Sequence, residues 1–207
     1  MKIIKVFPRN FKKVIEISTQ SIKDGKVLVC PTDTVYGLLA DATNQRAVER
    51  VFKTKKRPKG KPIPIFVRDI KMAKNFAFIN KDQEKFLKKF WPGKVTFVLK
   101  RKNKLPKILF GKAKTIGLRI PNYKLIKNLL EKLNRPLTGT SANISGKPSS
   151  IKIKEVIKQF KNKKFQPDLV LDAGNLKFSL PSTVIDLTGK KPKILRRGAI
   201  PFSLKFF

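Results

Sequence analysis

The chain contains no histidine and a single cysteine in 207 residues. A histidine general base, a histidine-ligated metal and a Ser-His-Asp arrangement are therefore excluded. One cysteine cannot form an internal disulfide. Cys30 ends the apolar run Val27-Leu28-Val29-Cys30, which points to a buried structural thiol rather than a nucleophile. Acids are scarce, 13 against 49 basic residues, and the paired carboxylates of a hydrolase are missing. There is no glycine-Lys-Ser/Thr phosphate loop of the Walker type. No apolar run approaches the ~18 residues of a membrane span. The first eight residues, Met1 to Pro8, are too short and interrupted for a secretory signal, so a cytoplasmic location is expected.

Basic charge is abundant: the net formal charge is +36. Such an excess favours polyanionic partners. However, 39 of the 49 basic residues are lysine, spread from Lys2 to Lys205, and only 10 are arginine, the better partner for planar phosphate contacts. A dispersed lysine excess fits compositional drift on solvated faces equally well, so charge alone does not assign function.

Helical and strand patterns alternate. Asn10 is placed to cap a helix running to Lys23, with Phe11, Val14, Ile15 and Ile22 inward and Gly25 as its stop. Asn44 is placed to cap a second, carrying Ala47, Val48, Val51 and Phe52 at helical spacing. Helical patterns also cover 81–90, 124–133 and 153–160. Strand candidates are 26–30, 63–67, 95–100, 116–120, 169–171, 184–187 and 193–195, with a short strand entered at Arg135-Pro136-Leu137. This interleaving predicts one α/β domain over residues 1–207, core about 10–200, built on a single sheet that is not purely parallel.

Four polar segments punctuate these elements. They are Pro31-Thr32-Asp33-Thr34-Val35-Tyr36-Gly37; the basic 55–62; Gly117-Leu118-Arg119-Ile120-Pro121 with Tyr123 beyond; and Thr138-Gly139-Thr140-Ser141-Ala142-Asn143-Ile144-Ser145-Gly146. Small residues admit a ligand close to the backbone, and their hydroxyls and amide supply hydrogen bonds at a strand end. Lys55, Arg57, Lys61 and Arg119 offer phosphate partners; Thr34, Ser141, Asn143 and Ser182 could orient a small polar substrate. Asp33 is read as fixing its own turn rather than acting as a base. Rich in anion partners and poor in proton-transfer groups, this inventory suits phosphoryl or nucleotidyl transfer.

Taken in order, Pro-Thr-Asp-Thr-Val-Tyr-Gly, Lys-x-Arg-Pro, Leu-Arg-Ile-Pro, Thr-Ser-Ala-Asn-x-Ser-Gly, Pro-Ser-Thr-Val and Ile-Leu-Arg-x-Gly resemble the YrdC-like threonylcarbamoyl-AMP synthase family. The resemblance implies a twisted open mixed sheet flanked by helices with a large basic concave cavity. It also implies condensation of L-threonine, bicarbonate and ATP to threonylcarbamoyl-adenylate and pyrophosphate, for threonylcarbamoyladenosine at tRNA position 37. Carried over residue by residue, it implies a catalytic set of Lys55, Arg57, Ser141 and Asn143. The ATP set is Arg57, Lys61, Arg119, Asn143, Ile151 and Arg196; the threonine set is Thr34, Tyr123, Ser141 and Ser182, with Thr32 and Tyr36 as neighbours. Magnesium is expected to arrive on the triphosphate, without a dedicated protein metal site. The product is expected to pass to a downstream threonylcarbamoyltransferase, with direct RNA or tRNA contact through the basic surface as an open option and no membrane partner.

Three positions depart from the family pattern. Phe66 stands where some members place a histidine near threonine, a contact expected to be lost or taken over by Tyr123. Gly60 replaces an acid before Lys61, and Arg197 replaces a proline after Arg196. With the sequence ending at Phe207, the additional C-terminal domain of longer members is expected to be absent. Two other classes compete: a basic module binding RNA without catalysis, and a carbamoyl-transfer domain like that of hydrogenase-maturation proteins. The conjunction of Ser-Ala-Asn with Lys-x-Arg disfavours the first. The lack of accompanying zinc-finger and acylphosphatase-like parts disfavours the second.

Overall fold

The computed structural model describes residues 1–201; positions 202–207 of the expected domain lie outside the described residues. Its strands are β1 (Lys2–Lys5), β2 (Leu28–Cys30), β3 (Gly37–Leu39), β4 (Ile65–Phe66), β5 (Val95–Lys100), β6 (Thr115–Arg119), β7 (Leu137–Thr138), β8 (Thr140–Ser141), β9 (Leu169–Asp172), β10 (Thr183–Asp186) and β11 (Lys193–Arg196). Its α-helices are α1 (Phe11–Lys23), α2 (Gln45–Lys55), α3 (Ile70–Phe76), α4 (Lys81–Phe90), α5 (Lys124–Leu133) and α6 (Ile153–Phe160).

The strands form two mixed sheets rather than the single one expected. One has the order β1-β9-β2-β3-β8 and the other β11-β10-β5-β6-β4-β7. The split occurs at one glycine. Thr138 pairs with Ile65 in the six-stranded sheet, whereas Thr140 pairs with Leu38 in the five-stranded one. Gly139 lies between them, its N–H on the Pro64 carbonyl at 2.7 Å. Thr138 ties the two sheets, its Oγ1 accepting from Ala40 N and donating to Leu38 O. A Cβ on Gly139 would stand 2.5 Å from two ring carbons of the buried Phe66. Gly139→Ala is expected to lower stability by about 1–3 kcal/mol. Thermal melting checks this, and adding Phe66→Leu should recover part of the loss.

Alternation along the five-stranded sheet assigns its two faces. Leu28, Cys30, Leu39, Leu169 and Leu171 face α1 and α5. Val29, Leu38 and Val170 join the larger core, shared with α2, α6 and the inner face of the six-stranded sheet. Cys30 is buried in the cluster against α1 and α5, and burial pushes its thiol up, away from thiolate formation.

Helix starts follow the side chains available. Asn44 caps α2 by accepting from Ala47 N, and Asp69 and Asn80 do the same for α3 and α4. Asn10 does not cap α1: its amide binds Phe7 N and Lys5 O, closing a short 3-10 turn over Pro8–Asn10. Gly25, with φ of 73°, follows the end of α1 as expected. Helix α2 stops where Lys56 turns left-handed, which leaves Lys55 as its last residue, pointing inward.

Candidate functional site

A cleft of about 190 Å³ opens where the two sheets diverge, with Thr32, Thr34, Tyr36, Phe66, Ser141 and Ser182 among its walls together with Arg57, Arg119 and Arg196. They come from loops and strand ends of several elements. The 31–36 loop links β2 to β3, and Arg57 leaves α2. Arg119 ends β6, Ser141 ends β8, Ser182 precedes β10 and Arg196 ends β11. The rim of the cleft is drawn in by Arg196, whose Nε and Nη2 donate to Ser182 O at 3.1 and 2.7 Å, and by Arg57, whose Nε and Nη2 donate to Lys61 O and Pro62 O.

The basic groups divide by partner. Among the described residues Arg57 and Arg196 donate only to neutral oxygens, so no acid there offsets the positive charge each brings to the cleft. Burial lowers both guanidinium pKa values from the ordinary arginine value. Arg119 is 3% exposed and ion-paired with Asp33 at 2.6 Å. Its pKa is lowered by burial, against the upward pull of Asp33, with Arg196 adding a smaller downward push. Arg119 also lies over the Phe66 ring, 5.7 Å from its centroid.

Lys55 and Asn143, expected in the catalytic set, do not line the cleft but lie beneath its Ser141 wall. The Lys55 ammonium donates to Ser141 O at 2.6 Å, Asn143 O at 3.0 Å and Asn143 Oδ1 at 2.8 Å, with Ser141 Oγ at 3.4 Å. Burial, and then the charge of Arg57, pull its pKa down from 10.5 to about 7. Asn143 has no hydrogen-bonding capacity left. Its Nδ2 donates to Ile144 O and Lys147 O, and its Oδ1 accepts from Lys55 and from Ser141 Oγ. The two residues therefore act as the frame of the Ser141 loop. Ser141 does reach the cleft, but its proton goes to an amide oxygen, which is no base. The hydroxyl is therefore not activated as a nucleophile.

The hydroxyl wall is ordered. Thr32 Oγ1 donates to Val35 O, so Thr34 Oγ1 donates to Thr32 and accepts from Arg119 Nη1 at 3.2 Å. Ser182 Oγ shares a hydrogen bond with Thr96 Oγ1 and accepts from Arg196. The Tyr36 phenol is turned away, donating to Gly174 O and accepting from Ala173 N, and burial pushes its pKa up.

Three further expected contacts lie off the cleft. The Lys61 side chain is exposed, and only its carbonyl takes part, through Arg57. Ile151 is held through its carbonyl by Leu176 N. Tyr123 packs against the cluster between α1 and α5 and does not line the cleft, whereas Phe66 does. Sequence reading missed Thr96, a polar residue inside an apolar strand whose only signal was that break in pattern. It also mistook Asp33: the carboxylate serves Arg119 and Asn122 N rather than its own turn. Among the described residues no group of three His, Cys, Asp or Glu side chains gathers as a resident metal would need. No helix among them is long and apolar enough to cross a membrane.

Comparison with known proteins gives this cleft a context. The Sua5, YciO and YrdC family model, described as "Telomere recombination", matches residues 20–198. A Methanocaldococcus jannaschii protein provisionally named threonylcarbamoyl-AMP synthase is 41% identical over 97% of the chain and 94% of its own length. The crystal structure of Pyrococcus abyssi Sua5 complexed with L-threonine superposes with a TM-score of 0.91 at 36% identity. That match covers 97% of this chain but 58% of Sua5, so the chain spans somewhat over half of that relative. The crystal structure of Escherichia coli YciO superposes at 0.83 with 30% identity, covering 95% of this chain and 94% of YciO.

Proposed function

Because the chain belongs to the Sua5, YciO and YrdC family, we propose that its cleft makes threonylcarbamoyl-adenylate from L-threonine, bicarbonate and ATP. The observation that carries this reading is the pairing of two guanidinium groups that no acid among the described residues offsets, Arg57 and Arg196, with an ordered wall of small hydroxyls in one cleft. Support also comes from the close superposition on a relative complexed with L-threonine.

The chemistry asks little covalent work of the protein. The threonine amine takes up carbon dioxide equivalents from bicarbonate as a carbamate, losing water. A carbamate oxygen then attacks the α-phosphorus, and the bond to the departing pyrophosphate breaks. Arg57 and Arg196 stabilise charge on the phosphates, and they need no reorganisation because main-chain carbonyls already hold them. Thr34, Ser141 and Ser182 orient the amino acid and its carbamate, while Lys55 and Asn143 hold the Ser141 loop in register. Magnesium travels with ATP in this reading, since the charged groups of the cleft are arginines. The reading places the protein in the cytoplasm, with its product consumed by a tRNA-modifying transferase, and leaves the basic surface for direct RNA contact. Mass spectrometry of a quenched reaction tests it: threonylcarbamoyl-adenylate is expected only when all three substrates are present, and its absence contradicts the assignment.

A further inference from the structure

Asp33 lies beside the cleft without lining it. Its side chain is 8% exposed and that of Arg119 is 3% exposed. Both of its oxygens are engaged: Oδ1 accepts from Arg119 Nη2 at 2.6 Å and Oδ2 from the Asn122 N–H at 3.1 Å. With one oxygen on a guanidinium and the other on the backbone, it is not placed to take a proton from a substrate. Arg119 is fixed from three sides, by Asp33, by Thr34 Oγ1 and by its own Nε on Gly93 O at 2.8 Å. A guanidinium has five N–H groups, so two take no part in these three bonds, and Arg119 is among the residues that line the cleft. Removing such a pair from water is costly, and an apolar pair of similar volume is often as stable.

We propose that Asp33 is the positioning residue of the cleft, locking the Arg119 guanidinium in one orientation so that its two remaining N–H groups meet an anionic group of a bound substrate. This deepens the synthase reading and rests on it for the identity of the ligands. Asparagine cannot replace Asp33 at both contacts. Its single oxygen can serve Arg119 or the Asn122 N–H, and its NH₂ then opposes a donor at the other. Loss of the lock leaves the guanidinium held only by Thr34 Oγ1 and Gly93 O and free to rotate at Nη2, weakening the ligand that Arg119 holds while leaving the other ligand alone.

The test is calorimetric binding of L-threonine and of Mg-ATP, separately, to wild type, Arg119→Lys, Asp33→Asn and the double variant. One ligand is expected to weaken at least tenfold in Arg119→Lys, and the same ligand at least tenfold in Asp33→Asn, with the other ligand within twofold. The double variant should be no more than twofold weaker than Arg119→Lys alone, because both changes disable one device. The proposal is overturned if Asp33→Asn leaves both affinities within twofold of wild type, if it weakens the other ligand instead, or if the two effects multiply. Should Asp33→Asn fail to melt cooperatively, Asp33→Glu carries the test. Moving the carboxylate out by one methylene should shift the same affinity at least threefold, and wild-type values overturn the proposal. Wild-type binding without threonine-dependent turnover sinks the synthase reading alone; wild type that binds neither ligand sinks both.

Discussion

Replacing Lys55 by methionine is expected to cost about 3 kcal/mol of stability and to slow adenylate formation about 100-fold or more. The side chain is 2% exposed and its ammonium is the donor for Ser141 O, Asn143 O and Asn143 Oδ1. Methionine fills the volume but satisfies none of these oxygens, and water cannot enter freely to replace the lost donor. The loop that presents Ser141 then loses its frame, so the defect reaches the cleft although Lys55 does not line it. Denaturant midpoints and initial rates measure the two effects.

The same substitution has a pH signature. Burial and the charge of Arg57 bring Lys55 from 10.5 to about 7. Between these values the unfolded chain holds a proton that the folded chain lacks, so stability rises with pH through that window. Above 9.0 the Cys30 thiol, kept protonated by burial, begins to contribute the opposite slope. Between pH 7 and 9 wild type should therefore gain stability with rising pH, and Lys55→Met should lose that gain. A parallel pH dependence in the two proteins would contradict the buried titration.

Arg57→Ala is expected to lower kcat/KM by about 100- to 1000-fold, the second large effect. Arg57 brings a charge to the cleft and braces the 57–62 turn through Lys61 O and Pro62 O. Arg57→Lys keeps the charge but loses the planar fork, so it should recover only part of the rate. If Arg57 stabilises the departing pyrophosphate, kcat falls with kcat/KM; a pure rise in the KM for ATP would mean it merely holds the nucleotide. Arg57→Ala should leave L-threonine affinity within about twofold if the two ligands occupy separate partners, which calorimetry reads directly.

Much of the architecture could be read from local pattern. Helices α4, α5 and α6 match their expected spans because each carries a strong apolar stripe, and α2 because Asn44 supplies its cap. The two-sheet arrangement was not legible, since it depends on the chain changing sheets at Gly139, and that crossing is fixed by the distant Phe66 and Pro64. Strands β1 and β3 were missed for related reasons. The first is an exposed edge stretch, and the second holds a glycine and two leucines with no alternation to mark it.

In the site, residue type revealed the loops but not which side chains face the ligand. Ser141, Arg57 and Arg196 line the cleft, yet Lys55 and Asn143 from the same motifs spend their hydrogen bonds within the 141–147 loop. Spacing along the chain could not separate these cases, because Lys55 and Asn143 stand 88 positions apart. Asp33 shows the converse. A turn-forming residue by local rules, it is recruited by an arginine 86 positions away.

The most direct measurement is pyrophosphate release from Mg-ATP by the purified chain, with L-threonine and bicarbonate each present or omitted. Release that requires both and nearly vanishes in Arg57→Ala is the predicted result. No release, or release indifferent to threonine, would contradict the synthase assignment and favour RNA binding through the basic surface.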